Sequence, residues 1–311
     1  MKWQRRFGRG VVAEFSKNRY LYLLALPGTL FLIVFAYIPM SAHLLAFKDF
    51  RLSDGLWGSK WVGFDNFRYF FSGNDWLRVT YNTLFLNGLF LVFGLGFAVM
   101  LAIFLSEVMS PLFKRVAQSF VFLPYFISWI VISMMTQALF STSEGIINKT
   151  LNSLGFEGVE WYLTPSVWPA ILTIIYIWKF AGYNSIIFLA GITGISPEYY
   201  ESAKLEGATR FQQMIYITLP LLRPIILLML LLGVGRIFYG DFGMIYAIVG
   251  DIGVLYPTTD VIDTFAYRAL RQLGNFSTSS AVVLYQSVMG LITVVIFNAI
   301  AKRIDTDSRL F

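Results

Sequence analysis

Long stretches without a charged residue alternate with short polar ones along this chain. Tyr20–Phe47, Val79–Ser106 and Val116–Ser143 contain no Asp, Glu, Lys or Arg. Ser166–Gly191 is interrupted by Lys179 alone, Pro224–Ile248 holds Arg236 and Asp241, and Phe276–Ala301 is again free of charge. Each run exceeds the roughly 20 residues that carry an α-helix through a bilayer. The pattern predicts an all-α, polytopic membrane fold with six transmembrane helices over 20–301, flanked by polar tails at 1–19 and 302–311. Pro27, Pro39 and Pro124 fall inside or at the edges of these runs, where membrane helices tolerate kinks.

Composition excludes the main alternatives. Hydrophobic residues make up 57% of the 311 and charged ones 14%, against about 25% charged in an ordinary soluble domain. With no cysteine there is neither a disulfide framework nor a thiolate metal site. The single histidine, His43, has no second histidine to form a metal-ligand pair and reads as a polar contact. Met1–Arg19 is basic, but the apolar run behind it is too long for a signal-peptide core and offers no small-residue cleavage site. It reads as a tail leading into an uncleaved membrane helix.

Dividing the charges between the two sides of a six-span chain gives an orientation. Segments 1–19, 107–115, 192–223 and 302–311 hold 14 Lys and Arg against 7 Asp and Glu, whereas 48–78, 144–165 and 249–275 hold 8 against 10. The excess of Lys and Arg on one side places both termini in the cytoplasm. The net charge of +6 thus reflects topology, and no basic run is interleaved with stacking aromatics as in nucleic-acid binding. Trp57, Trp61, Phe64, Phe67, Tyr69, Phe70 and Phe71 suit an interfacial belt outside the first span.

The loop 192–223 is too long for a simple helix connection. Ser196 is a good N-cap, Pro197 fits the first helical position and Glu198 complements the helix dipole. Gly207 is placed to end that helix in a left-handed cap. Thr209 with Gln212 then makes a capping box for a second short helix, with Phe211, Met214 and Ile215 on one face and Pro220 to stop it. Helix, glycine elbow and helix form a protruding knob with an apolar stripe, suited to docking or, alternatively, to lying on lipid headgroups.

Read as a pattern, Glu201, Ala203 and Gly207 followed by Ile217, Leu219 and Pro220 resemble the EAA loop of binding-protein-dependent ABC importer permeases, with Ser202 where that family usually has alanine. The stretches 18–28, 61–67, 123–129 and 260–268 look like carbohydrate-uptake permeases of the oligosaccharide and polysaccharide type. The resemblance implies a permease in a bacterial cell membrane, handed oligosaccharide by an external solute-binding protein. It also implies a second homologous permease chain and a separate ATPase dimer that carries ATP and Mg. In that family the loop seats on the ATPase, so Glu201 would pair with a basic residue there, Ala203 would belong to the same coupling motif, Gly207 would allow the tight elbow, and Phe211, Met214 and Ile215 would supply apolar contact. The chain itself contains no Gly-x-x-x-x-Gly-Lys-Ser/Thr phosphate loop and no convergent acid, base and nucleophile set. It is therefore expected to be no enzyme and to bind no cofactor or metal. A secondary transporter or channel working without ATP also fits six spans, but needs no coupling loop.

Ionisable groups at membrane depth are functional-site candidates by default. Lys179, Arg236 and Asp241 are three such groups, and Trp178, Tyr183, Asn184, Tyr239, Tyr285 and Gln286 offer rings and polar ends for a sugar path. Each of the six also fits ordinary helix packing, and a Lys179–Asp241 pair across helices competes with a substrate role. Two cations against one acid suit an anionic, uronate-containing oligosaccharide.

Overall fold

The computed structural model describes residues 17–304, so the expectations for most of the 1–19 and 302–311 tails lie outside the described residues. Among those residues five helical runs are long and apolar enough to cross a membrane: Arg19–Phe47, Asp75–Glu107, Pro165–Thr193, Arg210–Val234 and Phe276–Ile300. A bent pair of helices makes a sixth if it is one span. The sole sheet among the described residues is a pairing of two-residue strands, β1 (Lys48–Asp49) against antiparallel β2 (Lys60–Trp61).

The first run opens with helix α1 (Arg19–Leu32), apolar all round and without a buried residue, a profile that fits a lipid environment. It passes through a wide π-turn at Ile33–Tyr37 into Pro39 and ends in a 3₁₀ segment, Ser41–Phe47, whose Ala46 is fully buried. The aromatic group after it is divided. Phe47 stacks on Trp61 and meets Phe64 and Phe67, whereas Phe70, assigned to the belt from sequence, is buried in the core.

Helices α2 (Asp75–Glu107) and α5 (Trp168–Thr193) form the central pair. Between them in sequence, the third predicted span is not one helix. It divides into α3 (Pro111–Phe122) and α4 (Trp129–Phe140), bent by 97°. Pro124 removes an amide donor inside the bend, and Ser128 restarts the helix by accepting from Val131 N.

The fifth span also departs from expectation. After α6 (Pro197–Leu205), the helical path starts at Arg210 and runs as one piece through the π-turn Met214–Thr218 into α7 (Leu219–Val234). Pro220 does not stop it. Both prolines that follow a π-turn, Pro39 and Pro220, stand two residues beyond it; the widened turn makes room for a ring that would clash in a regular α-turn. The helix ends instead at Gly235, and a non-helical stretch leads to α8 (Phe242–Val249). The chain continues through α9 (Ile262–Arg271) to α10 (Phe276–Ile304).

Glycines permit the closest helix crossings. A Cβ on Gly182 of α5 would lie 1.8 Å from the Val121 carbonyl oxygen of α3, and one on Gly191 would meet the Ile225 and Leu222 side chains of α7. Two apolar zones are packed along α2 and α5. One gathers Leu86, Phe90, Trp168, Leu172 and Met244; the other gathers Ala98, Ala102, Phe188, Leu189 and Leu222.

Candidate functional site

Between those two zones lies a cavity of about 530 Å³, in the middle of α2 and α5, a size typical of small-ligand clefts. Its walls are Asn87 to Leu95 on α2, Tyr176 to Asn184 on α5, Met229 to Gly233 on α7, Tyr125 in the bend, and the stretch Arg236–Phe242. Both broken spans therefore place their breaks at the cavity.

Irregular backbone at membrane depth survives only where its polar groups find partners within the protein. At the α3–α4 bend the partner is Lys179. Its ammonium donates to the carbonyls of Tyr125 at 2.9 Å, Ile127 at 2.5 Å and Pro124 at 3.4 Å, and lies 4.9 Å from the Trp129 ring centroid. Lys179 is buried and does not line the cavity. At the second break, Asn87 Nδ2 donates to the carbonyls of Ile237 and Tyr239, and Gln286 Nε2 donates to that of Phe238. The Gly240 amide donates to Asp263 Oδ2 at 2.7 Å, which also accepts from Gln286.

Asp241 links the two breaks. Its carboxylate accepts from Met244 N at 2.9 Å, capping α8, and the Trp129 side chain of the bend lies beside it. No direct Lys179–Asp241 ion pair forms; the Lys179 ammonium instead lies over the Trp129 ring.

Of the sugar-path residues expected from sequence, Tyr183, Asn184, Arg236, Tyr239 and Asp241 line the cavity. Gln286 is buried on backbone, Tyr285 bonds Thr80 at 3.1 Å and packs against Phe70, and Trp178 is exposed away from the lining. Sequence reasoning missed Asn87, Tyr125 and Tyr176. Tyr125 stacks on Tyr183 with centroids 4.1 Å apart and planes 7° apart, and Tyr176 stacks on Phe90 at 4.7 Å. An asparagine inside an otherwise apolar helix was the available signal for Asn87.

The second candidate region is the loop knob. Gly207 has φ +82°, its amide donates to the Lys204 carbonyl and the Ala208 amide donates to that of Ala203, the bond pair of a Schellman cap. Ala203 thus supplies a backbone acceptor for the elbow. Thr209 and Gln212 complete the capping box, whereas Ser196 stands at its N-cap position without a side-chain bond. Tyr200 Oη lies 3.0 Å from Thr218 Oγ1, and Arg210 pairs with Glu107 at the end of α2. Glu201, Leu205, Phe211 and Ile215 are exposed. Met214 turns inward onto the apolar zone that contains Leu222, so the expected stripe of three is a pair.

Residues 91–306 match the family described as "Binding-protein-dependent transport system inner membrane component". The chain is 36% identical to Protein LplB of Bacillus subtilis over 302 residues, covering 96% of this chain and 94% of that protein. It is 33% identical to the polygalacturonan/rhamnogalacturonan transport system permease protein YteP of the same organism, covering 94% and 91%. It superposes with TM-score 0.86 and 33% identity on a chain from the crystal structure of a bacterial ABC transporter involved in the import of the acidic polysaccharide alginate, covering 94% of this chain and 99% of that one. It also superposes, with TM-score 0.84, on a chain from a bacterial alginate ABC transporter in complex with an alginate pentasaccharide-bound periplasmic protein.

Proposed function

The chain belongs to the binding-protein-dependent transport system inner membrane components, and from that premise we infer that it is the permease subunit of an ABC importer for oligosaccharides. It is a transport permease rather than an enzyme. The names of its relatives, with polygalacturonan, rhamnogalacturonan and alginate among their cargoes, support an oligosaccharide substrate that can be acidic.

One observation carries the mechanism: the helical path that begins at the loop elbow runs unbroken from Arg210 to Val234, and its far end lines the cavity at Met229, Leu232 and Gly233. At 1.5 Å per residue this is a rod of about 37 Å. A displacement imposed on the knob reaches the cavity wall along one continuous helical path, through the π-turn at Met214–Thr218. In the proposed complex a separate ATPase dimer binds Mg and ATP and grips the knob through Glu201, Leu205, Phe211 and Ile215. Closing that dimer moves the rod, and the cavity exchanges access between the two sides. A second homologous permease completes the path, and a solute-binding protein delivers substrate from outside. Both termini and the knob lie in the cytoplasm, as the Lys and Arg asymmetry favours.

The test is to purify the tagged chain with its subunits, reconstitute the complex in liposomes and measure oligosaccharide uptake with and without ATP. Uptake that requires ATP, with an ATPase subunit present in stoichiometric amount, is expected. Uptake that persists without ATP would overturn the reading in favour of a secondary transporter or channel.

A further inference from the structure

We propose that Arg236 is the carboxylate-selecting residue of the cavity, so that the transported oligosaccharide is recognised through its uronate units. The proposal rests on the importer reading above.

Three ionisable groups lie at this depth, and two are already engaged. Lys179 donates to the backbone carbonyls of the bend and is outside the cavity lining. Asp241 accepts from Met244 N at the start of α8. Arg236 is different. It is exposed, lines the cavity, and its guanidinium makes no direct ion pair and no side-chain hydrogen bond among the described residues; the Asp241 carboxylate lines the same cavity within electrostatic reach but not in contact. The asparagine and glutamine that stabilise the surrounding break are spent on the carbonyls of Ile237, Phe238 and Tyr239, so the guanidinium is not needed there.

An arginine at membrane depth is costly unless water or an anion meets it, and such residues mark substrate pathways. A neutral sugar could be bound by the tyrosine hydroxyls and Asn184 alone. A guanidinium adds the planar pair of donors that matches a carboxylate. The same cavity supplies the other half of a uronate site: Tyr125 and Tyr183, stacked 4.1 Å apart, offer an aromatic surface for the apolar face of a sugar ring. The assignment separates two cations that sequence alone treats as equivalent: Lys179 supports the bend and Arg236 meets substrate.

The test uses the reconstituted complex with its binding protein. Alginate and galacturonan oligosaccharides serve as probes, each compared with its methyl ester, which keeps the ring and removes the charge. In wild type, ATP-driven uptake should favour the acids. In Arg236→Gln the ratio of acid to ester uptake should fall at least tenfold through the KM for the acids, and Arg236→Lys should recover part of it, because charge returns without the fork. Both probes fall in one preparation, so a folding defect alone leaves the ratio unchanged. An unchanged ratio in Arg236→Gln would overturn the assignment, as would a wild-type complex that takes up the esters but not the acids. ATP-independent uptake, or no uptake of either, would instead strike the importer reading itself.

Discussion

The Lys179 ammonium sits 2.9 Å from the carbonyl oxygen of Tyr125, on the far side of a bend in a neighbouring span. A charge buried in an apolar helix thus serves as the hydrogen-bond donor that a broken helix lacks. Lys179→Met should orphan the Tyr125 and Ile127 carbonyls, at a cost of about 1–3 kcal/mol each. The expected outcome is a lower thermal midpoint for the purified complex in detergent. An unchanged midpoint with impaired uptake would return Lys179 to the substrate path.

Two glycines of α5 should respond unequally to the same substitution. Gly182→Ala places its methyl group against the Val121 backbone, which cannot rotate away, whereas Gly191→Ala meets the ends of the Ile225 and Leu222 side chains. Overpacking typically costs about 1–3 kcal/mol, and Gly182→Ala should reach or exceed the upper figure while Gly191→Ala stays near the lower. Folded yield and thermal midpoint, measured side by side, check the order.

The elbow at Gly207 has open space around it, with nothing within 4 Å of an added Cβ, yet its φ is +82°. Gly207→Val therefore strains the backbone without a clash, by about 1–2 kcal/mol at one residue. Substrate-stimulated ATP hydrolysis by the complex should drop more than tenfold while the thermal midpoint of the membrane domain moves only slightly. Full stimulation in the variant would show that knob geometry does not limit coupling.

The segment between α8 and α10 carries a pH-dependent network. Arg268 bonds Asp260 at 2.7 Å, stacks on Tyr256 at 4.1 Å and pairs with Asp251, while Arg78 reaches Asp260 at 3.1 Å. Burial disfavours the Asp251 charge, but hydrogen bonds from Tyr256, Gln272 and Arg268 outweigh it and hold the carboxyl below its usual 3.8. Burial and the bond to Asp251 push Tyr256 up to about 12. A lowered acid contributes stability above its unfolded pKa and loses it as pH falls through the folded one; a raised phenol contributes below its unfolded pKa and loses it as pH rises through the folded one. Hydrogen-exchange protection over 251–272, taken relative to the intrinsic amide rate at each pH, should therefore be greatest between about pH 4 and pH 10 and fall on both sides. Asp251→Asn should abolish the acid limb.

Much of the site was legible because its signals are local. The capping box at Thr209, the elbow at Gly207 and the charge-free runs depend on neighbours within one or two turns. Met214 was misassigned because i, i+3 and i+4 spacing names a face without saying what it meets. Pro220 was misread for a related reason: a proline stops a regular α-helix, but a π-turn before it lets the helix continue, and nothing in the local sequence announces that turn.

The sequence alone determined that the chain spans a membrane, where four of its spans lie and which loop protrudes, because bilayer thickness acts on the length of an apolar run and capping acts within a turn. Tertiary structure decided what each intramembrane polar group does. Lys179, Asn87, Gln286 and Asp263 satisfy backbone at the two breaks, and Arg236 is left facing the cavity. A buried donor takes the unpaired carbonyl nearest in space, and which carbonyls are unpaired is fixed only when the spans break and pack.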